Sequence, residues 1–134
     1  MKPVAREDVE VVRAIYERWQ HGDPAMDLLD PDIQWSTAHP DAADIHGREE
    51  VMAFLRRYVG TFEDYRIVLE EIRSLGDNRV QVRFSESGRG KGSGVETGVR
   101  ATGVWTVRDG RATRFRAELD SGNEPLDRAA KPGA

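Results

Sequence analysis

Four residues able to titrate or bind a metal crowd one short stretch, "AHPDAADIH": His39, Asp41, Asp44 and His46. A histidine can serve as a general base near neutral pH, and His with Asp can hold a metal ion. The metal reading fails on spacing, because the four fall on a loop with neither helical nor hairpin periodicity; no metal is expected. His39 continues the alternation of Trp35 and Thr37, which points it inward, and makes it the candidate base. Two weaker catalytic candidates are Tyr16, on an apolar helix stripe, and Asp120, which a slight bulge at the end of the last strand would turn inward. Glu86 shares the face of Val80, Val82 and Phe84, but its place near a strand end predicts a solvated carboxylate. His21 closes a helix, where a partial positive charge suits the dipole. "GRGKGSG" has neither the P-loop nor the dinucleotide glycine spacing, and reads as a hairpin loop.

The elements that must position these residues follow from periodicity. Residues 6–21 predict an amphipathic helix with Val9, Val12, Tyr16 and Trp19 on one stripe. Asp23-Pro24 opens a short helix, "PAMDLL", that stops before Asp30-Pro31. Ile33, Trp35 and Thr37 alternate as a half-buried strand ended by Pro40, and Asp41 to His46 form a loop. "GREEVMAFLRRYVG" predicts a further helix with Val51, Phe54, Leu55 and Tyr58 inward. From there the period changes to two. "YRIVLEEIRSL" is a strand whose Ile67 and Leu69 fall out of phase with Ile72, which implies a bulge. "RVQVRFSES" follows, after a turn at Gly76-Asp77-Asn78. "VETGVRATGVWTV" places Val95, Val99, Ala101, Gly103, Trp105 and Val107 on one face. After an Asp109-Gly110 turn, "ATRFRAEL" turns Phe115, Ala117 and Leu119 inward.

Three N-terminal helices with one early strand, then four antiparallel strands, predict an α+β domain whose helices cover one face of a curved, mostly antiparallel sheet. The concave space between them is the expected pocket. Its helix side is Tyr16, Trp19, Phe54 and Tyr58. Its strand side is Trp35, Thr37, Phe84, Trp105, Phe115 and Leu119, with Ala101, Gly103 and Ala117 leaving room. Large aromatics around a small-residue floor suit a flat apolar ligand, or simply fill the core.

Composition narrows the classes. The 134 residues suit one domain, read as 1–120 with a C-terminal tail over 121–134. A net charge of −4 argues against a dedicated nucleic-acid binder. With no cysteine, disulfides, thiolate zinc sites and a Cys nucleophile are excluded. "MKPVAREDVEVV" carries no secretory pattern and no segment is apolar enough to span a bilayer, so a cytoplasmic protein without membrane partners is expected. No cofactor motif is present in the sequence.

Taken in order, "VVRAIYERWQHGD", "LLDPDIQW", "HGREEVMAFLRRY", "GRGKGSGVE" and "VWTVRDGRATRFRAELD" resemble a SnoaL-like domain of the nuclear transport factor 2-like superfamily. The resemblance spans the chain up to Asp120. It implies a cone-shaped α+β barrel with a deep pocket, commonly a homodimer through the outer sheet face. The superfamily holds ketosteroid isomerases, polyketide cyclases, epoxide hydrolases, dehydratases and binding modules, so fold alone names no function.

Carried over residue by residue, the family's catalytic positions hold the wrong groups. The isomerase base falls on Thr37, its Asp donor on Gly103, and its Tyr on Ile15, beside Tyr16. The cyclase His and Asp fall on Gly103 and Ala117. The hydrolase Arg and Asp fall on Ala101 and Gly103, and Arg100 has the wrong parity to replace them. The leading expectation is therefore a protein that binds a small apolar or aromatic molecule without the family's catalytic set. One alternative is a small isomerase, cyclase or hydrolase acting on a polyketide-, steroid- or terpene-like substrate through His39, Tyr16 or a rim carboxylate. Another is a non-catalytic dimeric interaction module whose own side chains fill its pocket.

Overall fold

Alternation in the C-terminal half carries through into one continuous sheet. The structure, a computed structural model, describes residues 3–39 and 42–119; Pro40, Asp41, Asp120 and the expected tail lie outside the described residues. Strands β3 (Phe62–Gly76), β4 (Arg79–Gly90), β5 (Glu96–Arg108) and β6 (Arg111–Leu119) pair antiparallel in sequence order. The early strand β1 (Leu29–Ser36) joins parallel to β6, and a two-residue strand β2 (Ile45–His46) pairs with β1. The sheet order is β2-β1-β6-β5-β4-β3. Helices α1 (Pro3–Gln20) and α2 (Arg48–Gly60) cover its concave face.

Turn chemistry sets the hairpins. Asp77 and Asn78 both have positive φ (54° and 65°), as do Asp109 and Gly110 (52° and 79°). Positive φ at both central residues is the geometry whose twist matches the flanking strands. Strand β3 carries three bulges, at Glu63–Arg66, Leu69–Glu71 and Ser74–Gly76, and the middle one is the phase break. Glu63 and Arg66 face Arg89 and Ser87, and Leu69 and Glu71 face Phe84 and Arg83, so β3 gains one residue each time.

Three expectations change. The third helix is absent: "PAMDLL" holds a single 3-10 turn at Met26–Leu28, after a left-handed Ala25 (φ 59°). Leu29 already belongs to β1 and is fully buried there, and so short a stretch cannot repay helix nucleation. The loop before α2 contains β2, a pairing too short to leave a periodic signal, and it leaves His46 exposed at the sheet edge. The glycine-rich hairpin is tighter than its sequence implies. β4 runs to Gly90, whose N–H donates to Val95 O (2.9 Å), and Val95 stands exposed outside β5 rather than on its inner face.

The core lies between α1, α2 and the sheet, where Ile15, Leu29, Ile33, Val51, Val80 and Trp105 are fully buried. Arg48 ties the start of α2 to β1 by donating to Leu29 O (3.2 Å). Asp8 of α1, also buried, accepts from Asn78 Nδ2 (3.4 Å) at the β3–β4 turn. No helix among the described residues is long and apolar enough to cross a membrane.

Candidate functional site

A cavity of about 750 Å³ opens between the two helices and the sheet. Tyr16 and Trp19 come from α1, and Phe54 and Tyr58 from α2. Trp35 and Thr37 come from β1 and the residue after it, Phe84 from β4, and Phe115 and Ala117 from β6. The exposed residues Asp23, Pro24, Met26 and Arg56 mark its mouth.

Two expected lining residues belong to the core instead. A Cβ at Gly103 would stand 2.7 Å from Phe115 Cε1, so the small residue makes room for that ring and not for a ligand. Trp105 is fully buried, packs on Phe115 (centroids 4.4 Å apart) and donates through Nε1 to Tyr16 Oη (3.3 Å). Register placed both residues on the inner face, but it cannot say how deep the neighbouring side chains reach. The Leu119 side chain and Asp120 lie outside the described residues.

The polar end of the cavity is built around Glu86. It sits one inward step beyond Phe84 on β4, opposite Ile67 and Val99. One carboxylate oxygen accepts from Tyr65 Oη (2.5 Å) and the other from Tyr58 Oη (3.1 Å). Tyr65 reaches it because the first β3 bulge, with Asp64 at φ 56°, restores inward parity at residue 65. Glu86 is half-buried, and it lines both this cavity and a smaller one of about 40 Å³. Burial pushes its carboxyl up from the ordinary range, and the two phenols and the charge of His39 pull partly the other way. Burial also raises the Tyr58 and Tyr65 hydroxyls, with the Glu86 charge adding to it, so both remain protonated donors.

This corrects the solvated rim position expected for Glu86. β4 extends four residues beyond Glu86, so the residue is not near a strand end. Periodicity had placed it on the correct face, and the length of β4 was the signal missed. Tyr65, lost in a strand whose phase is broken, left no comparable mark.

His39 lines the cavity, with its ring edge-on to Phe54 (5.3 Å) and Tyr58 (5.6 Å). Thr37 supports that placement. Its hydroxyl donates to Ala42 O (3.1 Å) and accepts from the His39 N–H (3.1 Å), closing the loop. Thr37, onto which the resemblance to the isomerases carries a base, shapes a loop here. Tyr16 is buried, its hydroxyl is pushed up by desolvation, and its oxygen accepts from Trp105. Asp44 and His46 are both exposed, and no metal-binding cluster exists among the described residues.

The SnoaL-like domain family matches residues 12–115. The chain belongs to that family. Among solved structures, this SnoaL-like protein is similar to Bal32a from a soil-derived mobile gene cassette, at 26% identity and TM-score 0.78, over 87% of this chain and 91% of that one. It is similar to an NTF2-like protein from Burkholderia thailandensis E264, at 23% and 0.77, over 93% and 98%. It also resembles an LEH-like epoxide hydrolase from M. tuberculosis, at 21% and 0.71, over 87% and 84%. The last two likenesses show the fold alone. No curated protein matches the sequence.

Proposed function

We propose that this SnoaL-like protein binds a small, mainly apolar or aromatic molecule in the cavity, with the molecule's polar group set at Glu86. One observation carries the reading: an apolar, aromatic-walled cavity of about 750 Å³ ends at a carboxylate held between two phenols. Such a site combines a large apolar contact area with few convergent polar groups, which is how small-molecule pockets obtain affinity and orientation. A self-filled interaction module would leave no such volume. A panel of small aromatic and alicyclic molecules should raise the melting temperature of the wild type. Ala101→Phe, which fills the cavity, should abolish that response. Equal responses from the two proteins would show that the ligands bind elsewhere, and sink the proposal.

Catalysis is the second reading, favoured by the raised carboxyl of Glu86 with His39 beside it. A carboxyl poised nearer neutrality in a dry cavity is suited to proton transfer. Glu86 would then supply the acid–base function that Thr37, Gly103 and Ala117 lack, in an isomerase, cyclase or hydrolase. Turnover that survives Glu86→Gln unchanged would exclude it. We propose further that two copies associate through the outer sheet face, where Val68 stands half-exposed. Light scattering that gives a monomer mass at micromolar concentration would rule this out.

A further inference from the structure

The two hydrogen bonds that Glu86 accepts come from neutral phenols, with the His39 charge acting on it as well. Its oxygens accept from Tyr65 and Tyr58, while Arg89 pairs with Glu63 and Asp64 and Arg100 with Glu70. Arg56, the cation in the cavity lining, is exposed at the mouth. Hydrogen bonds from neutral phenols do not cancel a carboxylate's charge, and within low-dielectric walls that charge acts strongly on whatever enters.

Those walls are aromatic. The Phe54 and Tyr58 rings stack at 5.7 Å with an 18° interplanar angle, and Tyr65 stands edge-on to Tyr58 at 6.2 Å. Phe84 follows on the sheet side, with Tyr16 of α1 lying 5.7 Å from it. Ring faces carry negative quadrupole density and attract cations at about 6 Å or less. A hydrated inorganic cation would have to give up its water to apolar walls, at high cost. An organic cation has a weakly hydrated charge and an apolar body that the remaining volume can bury.

We infer that the cavity takes an organic cation, an amine or quaternary ammonium on an apolar or aromatic body, with Glu86 as its counter-ion and the rings of Phe54, Tyr58 and Tyr65 around the charge. The inference rests on the proposal that the cavity binds a small molecule, and adds the sign of that molecule's charge. The two phenols orient the carboxylate and leave its remaining lone pairs for the ligand. The same charge disfavours anionic ligands.

Calorimetric titration with benzyltrimethylammonium and its uncharged isostere neopentylbenzene, at pH 8, tests the inference. Wild type should bind the cation at least about tenfold more tightly than the isostere. Glu86→Gln should lose that preference while still binding the isostere. Tyr65→Phe, which keeps the charge, should retain a preference for the cation and guards against misreading a misfolded variant. Wild type binding the isostere as tightly as the cation overturns the cation inference and leaves the small-molecule reading standing. A cation preference that persists in Glu86→Gln also overturns it. Binding of neither probe to the wild type overturns both.

Discussion

Glu86 bears a charge that the fold encloses, so its removal should stabilise the empty protein. Its carboxyl lies above the ordinary 4.5 when folded, so the folded state holds its proton more tightly than the unfolded chain does. The group's contribution is fully present below about pH 4.5 and is lost as pH rises through the folded value. Glu86→Gln should therefore gain about 1 kcal/mol over wild type at pH 7, and the gain should vanish towards pH 4. Urea unfolding at several pH values measures it, and a wild type that is the more stable at pH 7 would contradict it. Tyr16, Tyr58, Tyr65 and His39 act on the same carboxylate, so the comparison is best repeated with His39→Gln in both backgrounds. The phenols separate by distance. Tyr65→Phe removes the 2.5 Å bond and Tyr58→Phe the 3.1 Å bond. Both should raise the Glu86 carboxyl further, Tyr65→Phe the more, as read from the pH dependence of its carbon chemical shift.

At the scale of elements, the register of β5 and β6 lays the Phe115 ring over Gly103, where only a hydrogen fits beside it. Gly103→Ala should cost about 1–3 kcal/mol, because the ring has to move and its far side is packed on Trp35 and Trp105. A variant with unchanged stability would show that the ring has somewhere to go. Phe115 also lines the cavity, so the same substitution should weaken binding of bulky ligands. The helices are seated by polar contacts as well as by apolar burial. Asp8 meets only Asn78 among the described residues, and burial raises its carboxyl. Asp8→Asn should stabilise the protein at pH 7 by about 0.5–1 kcal/mol and less at acid pH, for the same sign reason as Glu86. Denaturant titration at pH 7 and pH 4 checks it, and a destabilised variant at pH 7 would overturn the argument.

For the whole molecule, the cavity exists only while α2 is docked, since Phe54 and Tyr58 form one of its walls. An occupant at about 100 times its Kd should stabilise the fold by about 2.7 kcal/mol. Amide hydrogen exchange should slow most in α2 and at Ala42, which the Thr37 hydroxyl ties to the loop at His39. Protection confined to the outer sheet face would place the ligand elsewhere.

Much of this was legible in the residues alone. Amphipathic stripes determined α1 and α2, alternation determined β4 to β6, and Asp-Gly and Asp-Asn determined the turns, because each is a local period or a local backbone preference. The broken phase of "YRIVLEEIRSL" announced the bulge at Leu69–Glu71 but not the two beside it, and parity put Glu86, Trp35 and Phe84 on the inner face. Tertiary structure decided the rest. A residue's face says which way it points and not what stands opposite. Gly103 therefore accommodates Phe115, Thr37 ties a loop, and Glu86 meets two phenols carried by α2 and by a bulged β3. Those contacts join residues that are 21 and 28 positions apart in the chain. No local pattern encodes such a distance, and it is set only when the helix docks on the sheet.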